Sequence, residues 1–163
     1  MPESTAADEA DQVSLHMSAP PERIYELLTD VAGMGRLSPE CTGGHWLDGS
    51  VDAVVGARFK GTNKRGWARW STTNTVVAAE PGQAFAFETK QSGIRWRYEL
   101  VPDADDGGTT VTESRQAFKD LPLSAKLFAT VALGGADSHV DEVRDGMRAT
   151  LERLKALAES PSA

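Results

Sequence analysis

The stretch RLSPECTGGHW, residues 36–46, gathers a carboxylate, a thiol and an imidazole within six positions: Glu40, Cys41 and His45. Such a set suits two kinds of chemistry. An imidazole that takes the proton of a neighbouring thiol makes a nucleophile, and a carboxylate can orient the ring. The same side chains also bind metals. Either use requires the groups to converge. On an extended strand, positions 41 and 45 share a face but stand about 13 Å apart, unless Gly43-Gly44 makes a sharp bend. A zinc site needs three or four ligands, and the chain has one cysteine and, besides His45, only His16 and His139. The reading that fits is a small buried thiol where a helix gives way to a strand, with no metal and no cofactor.

A second set of polar residues lies further along. Asn63, Asn74, Glu113 and Arg115 share strand parity with apolar neighbours that should point inward. A buried charge has to be paired or hydrogen-bonded. Glu113 and Arg115 could pair with each other, or orient a ligand carbonyl or carboxylate. Alternatively both stand in water at an open end of the sheet, or a bulge reverses the parity. A glutamate in an apolar cavity has a raised pKa and can act as a general acid or base. The catalytic candidates, if there is catalysis, are therefore Glu113, Arg115 and Tyr98. The aromatic residues Trp46, Phe59, Trp70, Phe85, Phe87, Trp96 and Tyr98 either line a pocket or fill a core.

The elements that must position these residues follow from periodicity. Val13, Leu15 and Met17 alternate with polar residues over 12–18, as in a half-buried strand. PPERIYELLTDV starts with two prolines and carries Ile24, Leu27, Leu28 and Val31 at helical spacing. Asp30 is placed to cap a second short helix that ends before Pro39. Strand-like segments then follow at 41–48, 54–63, 67–79, 83–91, 94–102 and 109–118, separated by turns at 63–66, 81–82, 92–93 and 103–108. Connections this short imply antiparallel neighbours. Alternation gives one apolar face and one wet face, the latter with Arg58, Lys60, Arg69, Arg95 and Arg97. Residues 137–159 repeat Val140, Val143, Met147, Leu151, Leu154 and Ala158 every three or four positions, a long amphipathic helix to cover the apolar face. Asp137 or Ser138 could cap it. Gly146 interrupts it, either to let a strand or ligand approach or as tolerated slack.

The bulk properties limit the function. A chain of 163 residues with 40% apolar and 25% charged residues is expected to form one globular domain. We expect tails over 1–11 and 160–163 and a single domain over 12–159. A net charge of −7 argues against nucleic acid as partner, although Arg58, Lys60, Lys64, Arg65 and Arg69 form a local basic cluster on the wet face and a turn. One cysteine, an acidic start without an apolar core and no apolar run of membrane-spanning length point to the cytoplasm. The apolar stretch 121–133, LPLSAKLFATVAL, reads as a short helix that is either a lid or a homodimer contact.

This order of elements, with the phrases SAPPERIYELLTDV, SPECTGGHWLDG, VGARFKGTNKRG, STTNTVVAAEPGQAFAFE and RWRYEL followed by GGTTVTES, resembles the START-like superfamily. That is the helix-grip or SRPBCC fold, and the phrases are most similar to its actinobacterial polyketide cyclase/dehydrase-like branch. The resemblance runs from about residue 12 to 158. It implies an α+β fold: a seven-stranded antiparallel sheet wrapped around a long C-terminal helix, with two short helices after the first strand. It also implies a cavity between sheet and helix. The expected function is then binding of a hydrophobic or aromatic, lipid- or polyketide-like ligand, with Phe59, Trp70, Asn74, Phe85, Phe87, Trp96, Tyr98, Glu113, Val143 and Met147 as ligand-binding residues. The alternatives are a cyclase or dehydrase using Glu113, Arg115 or Tyr98, and a protein-interaction module using 121–133.

Overall fold

The computed structural model of the protein describes residues 12–118 and 136–161. The expected tail over 1–11 and the segment 121–133 lie outside these residues. Strand β1, Gln12–Met17, buries Val13 and Met17 on one face as its alternation requires. Helix α1, Pro21–Thr29, starts with proline in its first turn and turns Ile24, Tyr25 and Leu28 into the core. Asp30 then does the capping expected of it, although the element it starts is a 3-10 helix, Val31–Arg36. Its Oδ1 accepts from the Gly33 backbone N–H at 3.1 Å, and its Oδ2 receives Arg36 Nη2 at 2.8 Å. We expect Asp30→Ala to cost about 1 kcal/mol, the usual worth of such a cap; an unchanged urea midpoint would contradict this.

Six further strands follow: β2 Cys41–Trp46, β3 Arg58–Arg65, β4 Ala68–Glu80, β5 Ala84–Thr89, β6 Ile94–Pro102 and β7 Thr109–Ala117. They join β1 in one seven-stranded sheet of order β1-β7-β6-β5-β4-β3-β2, with every neighbouring pair antiparallel. Helix α2, Ala136–Glu159, completes the helix-grip fold.

Two boundaries differ from the sequence reading. The strand expected over 54–63 begins only at Arg58, because 54–57 forms a turn in which the Ala57 N–H donates to the Val54 carbonyl at 3.0 Å. The turn expected over 63–66 shrinks to Gly66-Trp67: Asn63 still pairs with Trp70 and Arg65 with Ala68. Gly66 takes φ +60°, as a two-residue hairpin of this kind requires at its first central residue.

The sheet curls, with one face concave. Helix α2 runs across that face beside β1 and α1, and its C-terminal half seals the core. Leu151 and Leu154 are fully buried with Met17, Ile24, Leu28, Phe59, Val76, Phe85 and Val111. Its last turn is fastened by Arg23, whose Nε donates to the Ala158 carbonyl at 2.8 Å, and by Glu159, which accepts from the Ser18 N–H at 2.7 Å. Ser160, expected in a tail, accepts from Arg23 Nη2 at 3.1 Å. Helix α2 already includes Asp137 and Ser138, so neither is the residue that precedes it. At its other end Glu142 receives Arg65 Nη2 at 3.0 Å. The outer face is wet as expected, with Arg95 on Glu88 and Arg97 on Glu99.

Candidate functional site

Among the described residues, the concave face divides into a closed end and an open end. Towards the open end the apolar residues Trp46, Phe87, Trp96 and Val143 are only half-buried, and so are Cys41, Asn63 and Arg115. Gly146 faces the same region: a Cβ built on it would meet nothing within 4 Å. Among the described residues, no strand comes within 4 Å of that position.

The polar centre of this face is made by register. Strands β6 and β7 pair Tyr98 directly with Glu113, and β1 places Val13 on the other side of Glu113. Tyr98 Oη donates to Glu113 Oε1 at 2.9 Å. Glu113 is 3% exposed, and its other oxygen, Oε2, is buried with no hydrogen-bond partner among the described residues. Burial disfavours the charged carboxylate and pushes its pKa up to about 8, with the Tyr98 hydrogen bond opposing. The group is thus largely a neutral acid at pH 7, able to donate from one oxygen and accept at the other. The Tyr98 hydroxyl is raised well above its ordinary pKa, first by burial and then by the nearby Glu113, so it stays a donor.

The second expected partner is elsewhere. Arg115 stands two residues along the same strand face, opposite Trp96, and forms no ion pair with Glu113. The tyrosine, one strand over, holds Glu113, and the Glu113–Arg115 pair, one of the alternatives, does not form. A second buried polar group lies on β4 and β5. Thr89 Oγ1 donates to Asn74 Oδ1 at 2.7 Å, and Asn74 Nδ2 donates to Thr72 Oγ1 at 3.2 Å. Asn74 is therefore satisfied within the sheet; sequence reasoning missed Thr89, although its parity with Phe87 placed it on this face.

The other expected binding residues sort by depth. Phe59, Phe85 and Met147 are fully buried and form the floor. Phe87, Trp96 and Val143 present apolar surface above them. Trp70 is 41% exposed at the rim near the β3–β4 turn.

The Cys41–His45 pair does not converge, for a reason the strand-distance argument did not contain. A β-bulge between Cys41 and Gly43 shifts the register, so that Cys41 pairs with Asn63 and His45 with Lys60. Cys41 thereby joins the concave face, whereas His45 is exposed on the outer one. Burial raises the thiol pKa, which keeps it protonated and a poor nucleophile. The glycines serve packing. A Cβ on Gly44 would lie 2.8 Å from the Lys60 carbonyl oxygen and 3.1 Å from Val31, so only glycine lets the 3-10 helix sit against β2.

One grouping with metal-ligand character occurs among the described residues, away from the concave face. His16 Nε2 stands 3.0 Å from Asp106 Oδ2 and 3.8 Å from Asp103 Oδ2 in the β6–β7 turn. The other oxygens of both aspartates already cap that turn, accepting from the N–H groups of Gly108 and Asp105. The geometry is that of a histidine–carboxylate pair closing the sheet edge.

A sheet gripping a C-terminal helix, with a concave apolar face and a few inward polar groups, defines a ligand-binding fold of the helix-grip class. Residues 12–159 match the family described as polyketide cyclase / dehydrase and lipid transport, and the chain belongs to that family. Among solved structures, a Polyketide_cyc-like protein from Corynebacterium glutamicum is 27% identical, with TM-score 0.54 over 91% of this chain and 88% of that one. A protein from Chromobacterium violaceum is 18% identical, with TM-score 0.66 over 93% and 99%. DynU16, a protein in the dynemicin biosynthetic locus, is 18% identical, with TM-score 0.59, and this chain covers 47% of it. No curated protein matches the chain. No helix among the described residues is long and apolar enough to cross a membrane.

Proposed function

We propose that the protein binds a hydrophobic or aromatic molecule, lipid- or polyketide-like, on the concave face between the sheet and α2. The observation that carries this reading is Glu113 Oε2, a buried polar atom without a hydrogen-bond partner among the described residues, on a largely apolar face. Such an atom costs about 1–3 kcal/mol when left unsatisfied, a cost that a ligand carbonyl or hydroxyl would relieve. Trp96, Phe87 and Val143 supply apolar contact, worth about 25 cal/mol for each Å² removed from water. Small-molecule sites commonly combine such a surface with few polar groups. The test is binding of 1-anilinonaphthalene-8-sulfonate to wild type and to Trp96→Ala, with native mass spectrometry of the freshly purified protein. We expect the probe to bind wild type at least tenfold more tightly than the variant. Equal weak binding to both, with no apolar molecule retained, would refute the reading.

A second reading is favoured by the Tyr98–Glu113 pair itself. A neutral carboxylic acid with a pKa of about 8 beside a tyrosine is equipped to protonate or polarise a carbonyl, as aldol closure and dehydration require. The family includes cyclases and dehydrases by description, and one structural neighbour comes from a biosynthetic locus. On this reading Glu113 is the acid or base and Tyr98 the polarising donor. Turnover of a poly-β-keto thioester by wild type and not by Glu113→Gln would select it over simple carriage. The third possibility, a protein contact through 121–133, falls outside the described residues.

A further inference from the structure

The tip of the β3–β4 hairpin has an uncommon surface. Trp67 is 95% exposed, the largest apolar side chain so placed among the described residues. Directly behind it, Lys64 and Arg69 occupy opposite positions of the ladder. Like charges facing each other across two strands destabilise a sheet, so the fold itself does not account for this pairing. Lys60 lies on the same outer face, opposite Thr73. None of these three cations has a carboxylate partner among the described residues. Glu40 and Glu142 are both engaged by Arg65. The protein as a whole carries a net charge of −7, which makes a local group of uncompensated cations harder to dismiss as average surface. Beside the cations, a hollow of about 360 Å³ is bordered by the hydroxyl-bearing Thr62 and Ser71.

We propose that this hairpin tip docks on an anionic lipid surface. Tryptophan settles at the level of lipid headgroups, where its ring is apolar and its N–H stays wet. Lysine and arginine beside it pair with phosphates while their stems lie along apolar material. The negative remainder of the molecule is repelled by the same surface, which fixes one docking orientation. That orientation is useful, because the hairpin tip and the open end of the concave face coincide. Trp70 and Asn63 lie on the concave side just inside the tip, and Arg65 reaches across to Glu142 at the start of α2. Docking through the tip therefore brings the less buried end of the concave face, as the described residues define it, close to the bilayer. The proposal is independent of which molecule, if any, the concave face holds.

The experiment is vesicle co-sedimentation of the full chain at low ionic strength. Vesicles of phosphatidylcholine alone are compared with vesicles of phosphatidylcholine and phosphatidylglycerol. We expect wild type to bind only the mixed vesicles, and binding to weaken as salt screens the charges. Each surface cation contributes about fivefold to such binding, so Lys64→Glu with Arg69→Glu should lose on the order of twenty-fold or more. Trp67→Ala should reduce binding by about tenfold through lost interfacial burial. All three substitutions are at exposed positions, and unchanged urea midpoints will verify that the two variants fold. Absence of wild-type binding to the mixed vesicles overturns the proposal, as does equal binding of wild type and both variants. A Trp67-dependent dimer in solution, or retention on single-stranded DNA, without vesicle binding would assign the tip to a second copy or to nucleic acid and equally overturns it.

Discussion

Glu113→Gln is expected to flatten a fall in stability that the wild-type protein shows between pH 4.5 and about pH 8. The unfolded chain releases the Glu113 proton near 4.5, whereas the folded protein holds it until about 8. Between those values the native state binds one proton more than the unfolded state. Unfolding free energy therefore decreases as pH rises, by about 1.4 kcal/mol for each pH unit at the limit. The contribution is fully favourable below the unfolded value and fully lost above the folded one. Glutamine keeps the shape, one acceptor and one donor, but does not titrate. The variant should match wild type near pH 4 and exceed it by a few kcal/mol near pH 8, on the order of the shift itself. Asp106 and Glu159 shift the other way, lowered chiefly by backbone N–H groups of Gly108 and Ser18. Their support is lost only as the solution becomes more acidic than the ordinary carboxylate range, so the two effects separate by pH. Urea midpoints measured across this range for both proteins test the assignment. Parallel curves would show that Glu113 ionises freely in the fold, and would remove the neutral acid on which both functional readings depend.

Much of the architecture could be read from the chain because it depends on local patterns. Alternation at Val13, Leu15 and Met17, the two prolines before Ile24, and the helical repeat through Met147, Leu151 and Leu154 each specify an element without knowledge of its neighbours. The site depended on relations between elements. That Glu113 meets Tyr98 and not Arg115 is a statement of register between β6 and β7, set by the turn at 103–108 and invisible to the parity of either strand alone. Cys41 was misplaced relative to His45 because one extra residue at the bulge reverses the side on which it emerges. The wet-face cluster was visible as composition, but only pairing revealed that Lys64 and Arg69 face each other while Arg65 crosses to Glu142. Family resemblance narrowed the fold without locating these contacts, since a fold hosts many sites.

The largest loss of stability we expect from a single substitution is at Phe59. Its ring is 1% exposed and makes two edge-on contacts, with Trp46 at 5.6 Å on one side and Phe87 at 5.2 Å on the other. Phe87 continues the series to Phe85 at 5.7 Å, and Phe85 meets Tyr25 of α1 at 6.5 Å. The series thus couples the edge strand β2, through the sheet, to the first helix. Phe59→Ala removes the transfer energy of the ring, leaves a cavity and breaks two aromatic contacts, which together should cost about 3–5 kcal/mol. Phe59→Leu restores most of the volume and should cost substantially less, about 1–1.5 kcal/mol. A calorimetric or urea comparison of the three proteins separates volume from aromatic geometry. Equal losses for alanine and leucine would mean that ring contacts dominate, and a loss below about 1 kcal/mol for alanine would mean the floor collapses to fill the space. The same pair bears on the concave face. Phe59 lies beneath its apolar surface, so the leucine variant should bind 1-anilinonaphthalene-8-sulfonate much as wild type does. Retained binding there, together with loss in Trp96→Ala, would place the ligand above the floor, on the half-buried residues beside Glu113.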